Sequence, residues 1–286
     1  MNRSLQLGLE QLEQREMMAG DVAVSVTSGG DLIITGDQAD NQLVVTSTEP
    51  NHQFHVKGLN GTTINGQASV VVNGVSDDIR VQLRGGDNAI LLSAHNEYNY
   101  SNRFEVDDIR FSSGSGNDII ALQQVDVRGD FRASTGSGDD LVMIDEAKID
   151  QLRIRTSAGD DAVMMNATQL AGLTDVNTGS GDDAFVSVDN VYHADARVRT
   201  SGGRDVVATS ADLFHQDWVV SAGGGHDRLL QENGSRLTEV VGAALQLSIE
   251  TTETLAGLDL LAELAQHLEG HQPAEDYFTL FSDYLD

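Results

Sequence analysis

Carboxylates that recur on a fixed beat can hold metal ions or cap backbone turns, and this chain carries such a series through its middle. They close the motifs Gly114-Ser115-Gly116-Asn117-Asp118, Gly136-Ser137-Gly138-Asp139-Asp140, Ala158-Gly159-Asp160-Asp161, Gly179-Ser180-Gly181-Asp182-Asp183, Gly202-Gly203-Arg204-Asp205 and Gly224-Gly225-His226-Asp227. The final Asp returns after 22, 21, 22, 22 and 22 residues. A calcium ion takes about six to eight oxygen ligands, and Gly-rich corners offer carboxylates and exposed carbonyls together. Asp118, Asp139, Asp140, Asp160, Asp161, Asp182 and Asp183 are therefore the candidate metal ligands, with calcium as the candidate cofactor. The competing reading is that each Asp accepts backbone N–H groups at its corner and keeps the surface solvated. Two unit charges ~5 Å apart repel by ~0.8 kcal/mol even in water, so a stacked column needs something to offset it.

A second series is basic. Eight residues before each repeat Asp, or before Asn88 in Gly85-Gly86-Asp87-Asn88, stand Arg80, Arg110, Arg132, Arg153 and Arg197, with Asp175 breaking the row. Together with Arg155 and Arg199 they form a large part of the 17 basic residues of the chain. Guanidinium groups grip carboxylate and sulfate in bidentate fashion. Arg110, Arg132, Arg153 and Arg197 are accordingly the candidate ligand-binding residues, suited to an acidic polysaccharide. Pairing with neighbouring acids is the competing reading in so acidic a chain.

Other chemistries find little support. The formal charge of −28 argues against nucleic acid, whose phosphates call for Lys and Arg. No cysteine is present, which removes thiol nucleophiles and thiolate metal sites. The eight histidines show no ligand spacing, and neither a Gly-x-Ser-x-Gly elbow nor a phosphate loop with lysine occurs. A polysaccharide lyase or hydrolase would need a carboxyl pair about 5–9 Å apart, but acids are too abundant here for a pair to signify. The reading is that the chain is not an enzyme, with a carbohydrate-active enzyme as the alternative. No apolar run approaches the ~18 residues of a membrane span.

The elements that must position these residues follow from the same period. Phe111, Ala133, Ile154, Val176, Val198 and Val220 lie seven residues before the repeat Asp, and Ile120, Val142, Val163, Phe185, Val207 and Leu229 lie two after it. A third apolar column, of looser register, is suggested by Val127, Ile149, Leu170, Tyr192 and Phe214. Three inward columns on a repeat of about 22 residues predict an all-β chain wound into a three-sided parallel β-helix, right-handed, with about seven rungs ~4.8 Å apart. Ser113, Thr135, Thr156, Thr178 and Thr200 form a hydroxyl column expected to hydrogen-bond along the axis. Residues 79–250 carry the repeats, and 21–78, with alternating strands and Asn-Gly turns, read as a β-rich cap over the first coil. The eight residues between Ser93 and Tyr100 read as a protruding polar, aromatic loop. Leu255, Leu258, Leu261, Leu264, Ala265 and Leu268 make an amphipathic helical pattern after Thr252, so 251–286 read as a helical cap over the last coil or as a partner-docking helix.

Residues 1–20 stand apart as a targeting-like segment. Leu12-Glu13-Gln14-Arg15-Glu16-Met17-Met18-Ala19-Gly20 resembles the Leu-Glu-Pro-Arg-x-Leu-Leu segment at the start of planctomycete surface and extracellular proteins, with Gln14 in place of the proline. A short amphipathic helix is the other reading of the same residues. The Gly-Asp corners are similar to the Gly-Gly-x-Gly-x-Asp turns of calcium-binding repeats-in-toxin proteins, although one copy per 22 residues replaces that family's nine-residue beat. These resemblances imply an extracellular or cell-surface location and calcium, and with the arginine row they make surface polysaccharide or surface proteins the expected partners. The expected function is a structural or adhesive β-solenoid, with a calcium-responsive folding module as a further alternative.

Overall fold

A computed structural model describes residues 19–49, 53–94 and 104–232, together with the strands Glu239–Gly242 and Gln246–Ser248. The targeting-like residues 1–18, the protrusion at 95–100 and the helical pattern of 251–286 lie outside the described residues. Within them the chain is strand and turn, with no helix. Each strand pairs in parallel with its counterpart one repeat later, and the result is a β-solenoid of about six turns. The seven Asn/Asp corners from Asn88 to Asp227 bound six turns, where counting corners gave about seven rungs.

Three strips of sheet run along the axis. The first contains Ile79–Arg84, Ile109–Ser113, the later halves of Val125–Ser137 and Lys148–Ala158, then Thr174–Ser180, Ala196–Arg199 and Trp218–Gly225. The second contains Ala89–Ser93, Ile119–Gln123, Leu141–Asp145, Ala162–Asn166, Ala184–Val188, Val206–Ser210 and Arg228–Glu232. The third is narrow: Phe104–Val106, the early halves of Val125–Ser137 and Lys148–Ala158, Gln169–Leu170, Val191–Tyr192 and Leu213–Phe214.

All three apolar columns point inward. Ala133 pairs with Ile154 and Ile154 with Val176 on the first strip, while Val142 pairs with Val163 and Val163 with Phe185 on the second. The third column is in strict register as well, Val127 on Ile149 on Leu170 on Tyr192 on Phe214. One turn buries about half a dozen such side chains at ~1.5–3 kcal/mol each, which does not offset ordering ~22 residues at ~1–2 kcal/mol each. A turn is therefore stable only when stacked.

The outer side of the second strip is also apolar. Val44, Leu91, Ile119, Ala121, Leu141 and Ala184 belong to a second buried cluster, separate from the axial core. The signal for this was in the sequence: runs such as Ala89-Ile90-Leu91-Leu92 and Ile119-Ile120-Ala121-Leu122 do not alternate, as a strand buried on both sides requires.

Two of the three corners between the strips are built in contrasting ways. The Gly-Asp corner joins the first to the second, and several of its glycines have positive φ with no room for a side chain. A Cβ on Gly181 (φ 137°) would lie 1.9 Å from the Gly159 carbonyl oxygen. The corner from the second to the third strip uses left-handed residues that are not glycine: Gln124, Glu146, Ala167, Asp189 and Ala211, with φ between 48° and 56°. They repeat on the same period but have no single residue type in common, so nothing in their chemistry marks the turn.

Toward the N-terminal end the pairing changes. Leu32–Thr35 still stacks in parallel on Ile79–Arg84, and Gln42–Glu49 on Ala89–Ser93. Beyond them Asp21–Val26, Gln53–Gly58 and Ser69–Asn73 add antiparallel strands, which end the parallel stack.

Candidate functional site

The Gly-Asp corner holds two side-chain ladders that run in opposite directions. In the inner ladder the backbone N–H of each turn donates to a side chain one turn later. Asn41 donates to Asn88 at 3.1 Å, Asn88 to Asp118 at 3.0 Å, Asp118 to Asp140 at 2.9 Å, Asp140 to Asp161 at 2.9 Å and Asp161 to Asp183 at 3.0 Å. Asp183 and Asp205 continue it to Asp227. In the outer ladder the donor belongs to the later turn. Asp139 N–H donates to Asn117 Oδ1 at 2.9 Å, Asp160 to Asp139 at 2.8 Å, Asp182 to Asp160 at 2.7 Å and Arg204 to Asp182 at 2.8 Å.

These ladders place the candidate metal ligands in two environments. Asp118, Asp140, Asp161 and Asp183 are buried, while Asp139, Asp160 and Asp182 face outward. In both rows one carboxylate oxygen accepts a backbone N–H from an adjacent turn. Among the described residues no group of three or more His, Asp or Glu side chains converges as an ion would require. The donor that offsets carboxylate repulsion in this structure is the peptide N–H.

The hydroxyl column bonds along the axis, as expected of it, and also within its own turn. Thr178 and Thr200 donate within their own turn to Asp183 Oδ2 and Asp205 Oδ2, each at 2.6 Å, and Thr135 does the same to Asp140. Thr156 and Ser113 donate along the axis, to the carbonyls of Thr178 at 2.9 Å and Thr135 at 3.1 Å, and the hydroxyls of Thr135 and Thr200 also lie 3.4 Å from the axial carbonyls of Thr156 and Ala222. A hydroxyl has one proton, so this choice leaves Oδ2 of Asp161 and of Asp118 buried without a donor. Asp227 is in the same position, because Ala222 replaces the threonine.

Burial raises the pKa of five aspartates of the inner row. Asp161 is pushed up to about 8, Asp140 and Asp183 to about 7, and Asp118 and Asp205 to about 6, in each case chiefly by loss of solvation. For Asp161 burial is the largest cause, and the acidic neighbours Asp140 and Asp183 add to it. Asp118 is relieved by the amide of Asn88, whose Nδ2 donates to it at 2.9 Å.

The arginine row is in register as spaced: Arg80, Arg110, Arg132, Arg153, Asp175 and Arg197 occupy one outward line on the first strip. Acids two residues earlier in the chain form a parallel line beside it. Arg80 meets Asp78 at 3.0 Å and Asp31 at 3.1 Å, Arg110 meets Asp108 at 2.6 Å, Arg197 meets Asp195 at 3.5 Å, and Arg132 pairs with Asp130. These aspartates form a ladder of their own, since Asp130 N–H donates to Asp108 Oδ1 at 2.8 Å and Asp108 N–H to Asp78 Oδ1 at 3.3 Å. The strip is thus a zipper of alternating charge. The acidic partners were visible two positions upstream of Arg80, Arg110, Arg132 and Arg197.

Two further features escaped the sequence reading. Thr168, Asn190 and Asp212 make a fourth ladder at the left-handed corner, with Asn190 N–H on Asp212 Oδ1 at 2.8 Å. Toward the C-terminal end of the described coil Tyr192, Phe214 and Trp218 stack, with centroids 4.5 Å and 4.8 Å apart for successive pairs. Just outside them the rings of His193 and His215 stack at 5.0 Å.

No family model, curated protein or solved structure matches the chain.

Proposed function

We propose that this protein is a structural, adhesive scaffold of the cell surface or extracellular space, a rigid rod that touches acidic polysaccharide along its arginine-bearing strip. The observation that carries the reading is the use of repeating polar groups. Carboxylates that could have gathered into a site instead bond turn to turn, and most guanidiniums pair with an adjacent acid. Such an arrangement stiffens a rod and presents one regular face. The Leu12–Gly20 segment and the strongly acidic composition support a location outside the cytoplasm.

The reading is tested in two steps. Antibody against the solenoid should label intact cells that produce the protein, and a glycan array should retain the purified chain on carboxylated or sulfated polymers but not on neutral ones. Labelling only after permeabilisation would remove the surface location. Indifference across the array would remove the polysaccharide contact.

A further inference from the structure

The zipper has one gap. Gln151 stands where the acid two residues before Arg153 would be, in register with Asp130. The partner left to Arg153 is Asp175, at 3.8 Å from Nε, and Asp175 is already held more closely by Arg199. Nε of Arg153 is buried and makes no hydrogen bond. Arg155, two residues on and on the same outward side, is exposed and forms no ion pair among the described residues. A shallow depression opens at this place between the strands of Arg132 and Arg153, floored by Phe131 and Leu152 and edged by Asp130, Gln151 and Leu173.

Local charge separates this spot from the rest of the strip. Among the described residues Arg132, Arg153 and Arg199 are paired here only with Asp130 and Asp175, and Asp150, beside Gly172, forms no ion pair with them. The patch is positive in a chain of net charge −28. At physiological salt fields fade over ~8 Å, so an anion at the depression responds to these guanidiniums more than to the distant acids. The depression is too shallow for a sugar ring and suits a single planar or tetrahedral oxyanion presented from outside.

We propose that the Arg132–Arg153 gap is a binding site for one carboxylate or sulfate group of an acidic glycan, the group taking the place that an Asp at position 151 would otherwise fill. This deepens the polysaccharide contact proposed above and rests on it. Arg153, whose side chain is 40% exposed and whose nearest acid is Asp175 at 3.8 Å, makes the principal bidentate contact, and Arg132 and Arg155 flank it.

The test uses the full chain and two probes, a hexamer of galacturonic acid and inorganic sulfate, titrated by calorimetry. Gln151→Asp supplies the missing internal acid and is expected to weaken hexamer binding about tenfold or more while leaving the melting temperature equal or higher, which separates loss of the site from loss of the fold. Arg153→Gln should weaken binding similarly, and Arg128→Gln, at a position outside the arginine row and paired with Glu105, should leave it unchanged. Hexamer binding that Gln151→Asp and Arg153→Gln leave intact would overturn the site while keeping the polysaccharide contact. Failure of the wild type to bind either probe would overturn both. Binding of sulfate without the hexamer would overturn the glycan as the source of the anion.

Discussion

Asp140 and Asp161 occupy the same corner of successive turns, and the backbone N–H of Asp140 donates to Asp161 Oδ1 at 2.9 Å. Their immediate neighbours reverse the direction, with Asp160 N–H donating back to Asp139 Oδ1 at 2.8 Å. Each corner is stitched to the next turn by an inner bond and to the previous one by an outer bond. A slip of one residue would break both rows at once, so the Asp pair fixes register at the corner as the apolar columns do along the strands.

Stability should fall as pH rises. Asp118, Asp140, Asp161, Asp183 and Asp205 have folded pKa values of about 6 to 8, above the ordinary carboxylate value of 3.8, so the folded chain holds protons that the unfolded chain releases. Their contribution is fully present below the unfolded pKa and is lost as pH climbs through the folded values. Melting temperature is expected to drop between pH 5 and pH 8.5. Asp161→Asn should raise it at pH 8.5 by the equivalent of ~1–3 kcal/mol and have a smaller effect at pH 5, since Asn41 and Asn88 show that an amide fits the ladder. A flat profile, or an Asn variant that is weaker at both pH values, would contradict the protonated row.

The Thr–Asp pairs should show the same sign from the other side. Thr178→Val deletes the donor to Asp183 Oδ2 and leaves that oxygen buried alone. Denaturant titration at pH 8.5 should show a loss of ~1–3 kcal/mol, and a smaller one at pH 5, where a proton on Asp183 replaces charge. Equal losses at both pH values would mean that the hydroxyl acts through packing only.

Outward positions on the second strip should behave as core. Ala121 and Ala184 are each 1% exposed. Ala184→Asp is therefore expected to cost ~2–4 kcal/mol, while Ser134→Asp, outward and exposed on the first strip, should stay within ~0.5 kcal/mol. Similar melting curves for the two variants would refute the double-sided burial.

Glycines at one corner should differ sharply. Gly181→Ala drives a Cβ onto the Gly159 carbonyl at positive φ and should destabilise by ~2 kcal/mol or more, whereas the nearest atom to a Cβ on Gly202 is 3.7 Å away. Gly202→Ala is expected to be close to neutral in thermal melts.

Millimolar calcium should leave the melting temperature unchanged, because the corner carboxylates already accept peptide N–H groups and the inner row is shut from solvent. A rise of several degrees, abolished by changing Asp160 and Asp182 to Asn together, would instead place an ion on the outer row.

The 22-residue beat by itself determined the architecture, because a column of identical residue types can form only if successive turns superpose. Val127, Ile149, Leu170, Tyr192 and Phe214 were legible as a column from spacing alone, and the arginine row was legible down to its break at Asp175. The strand runs of the second strip, such as Ile119-Ile120-Ala121-Leu122, also announced burial on both sides. Only the tertiary structure decided which Asp of each pair turns inward. Adjacent carboxylates are chemically alike, and their fates diverge through the side of the corner each one faces. The partners of the hydroxyls were equally hidden, since Thr135, Thr156 and Thr178 are one residue type with different acceptors in reach. So was the vacancy beside Arg153, which depends on Gln151 lying one strand over from Asp130, a neighbour 21 residues away in the chain and in lateral register in the sheet.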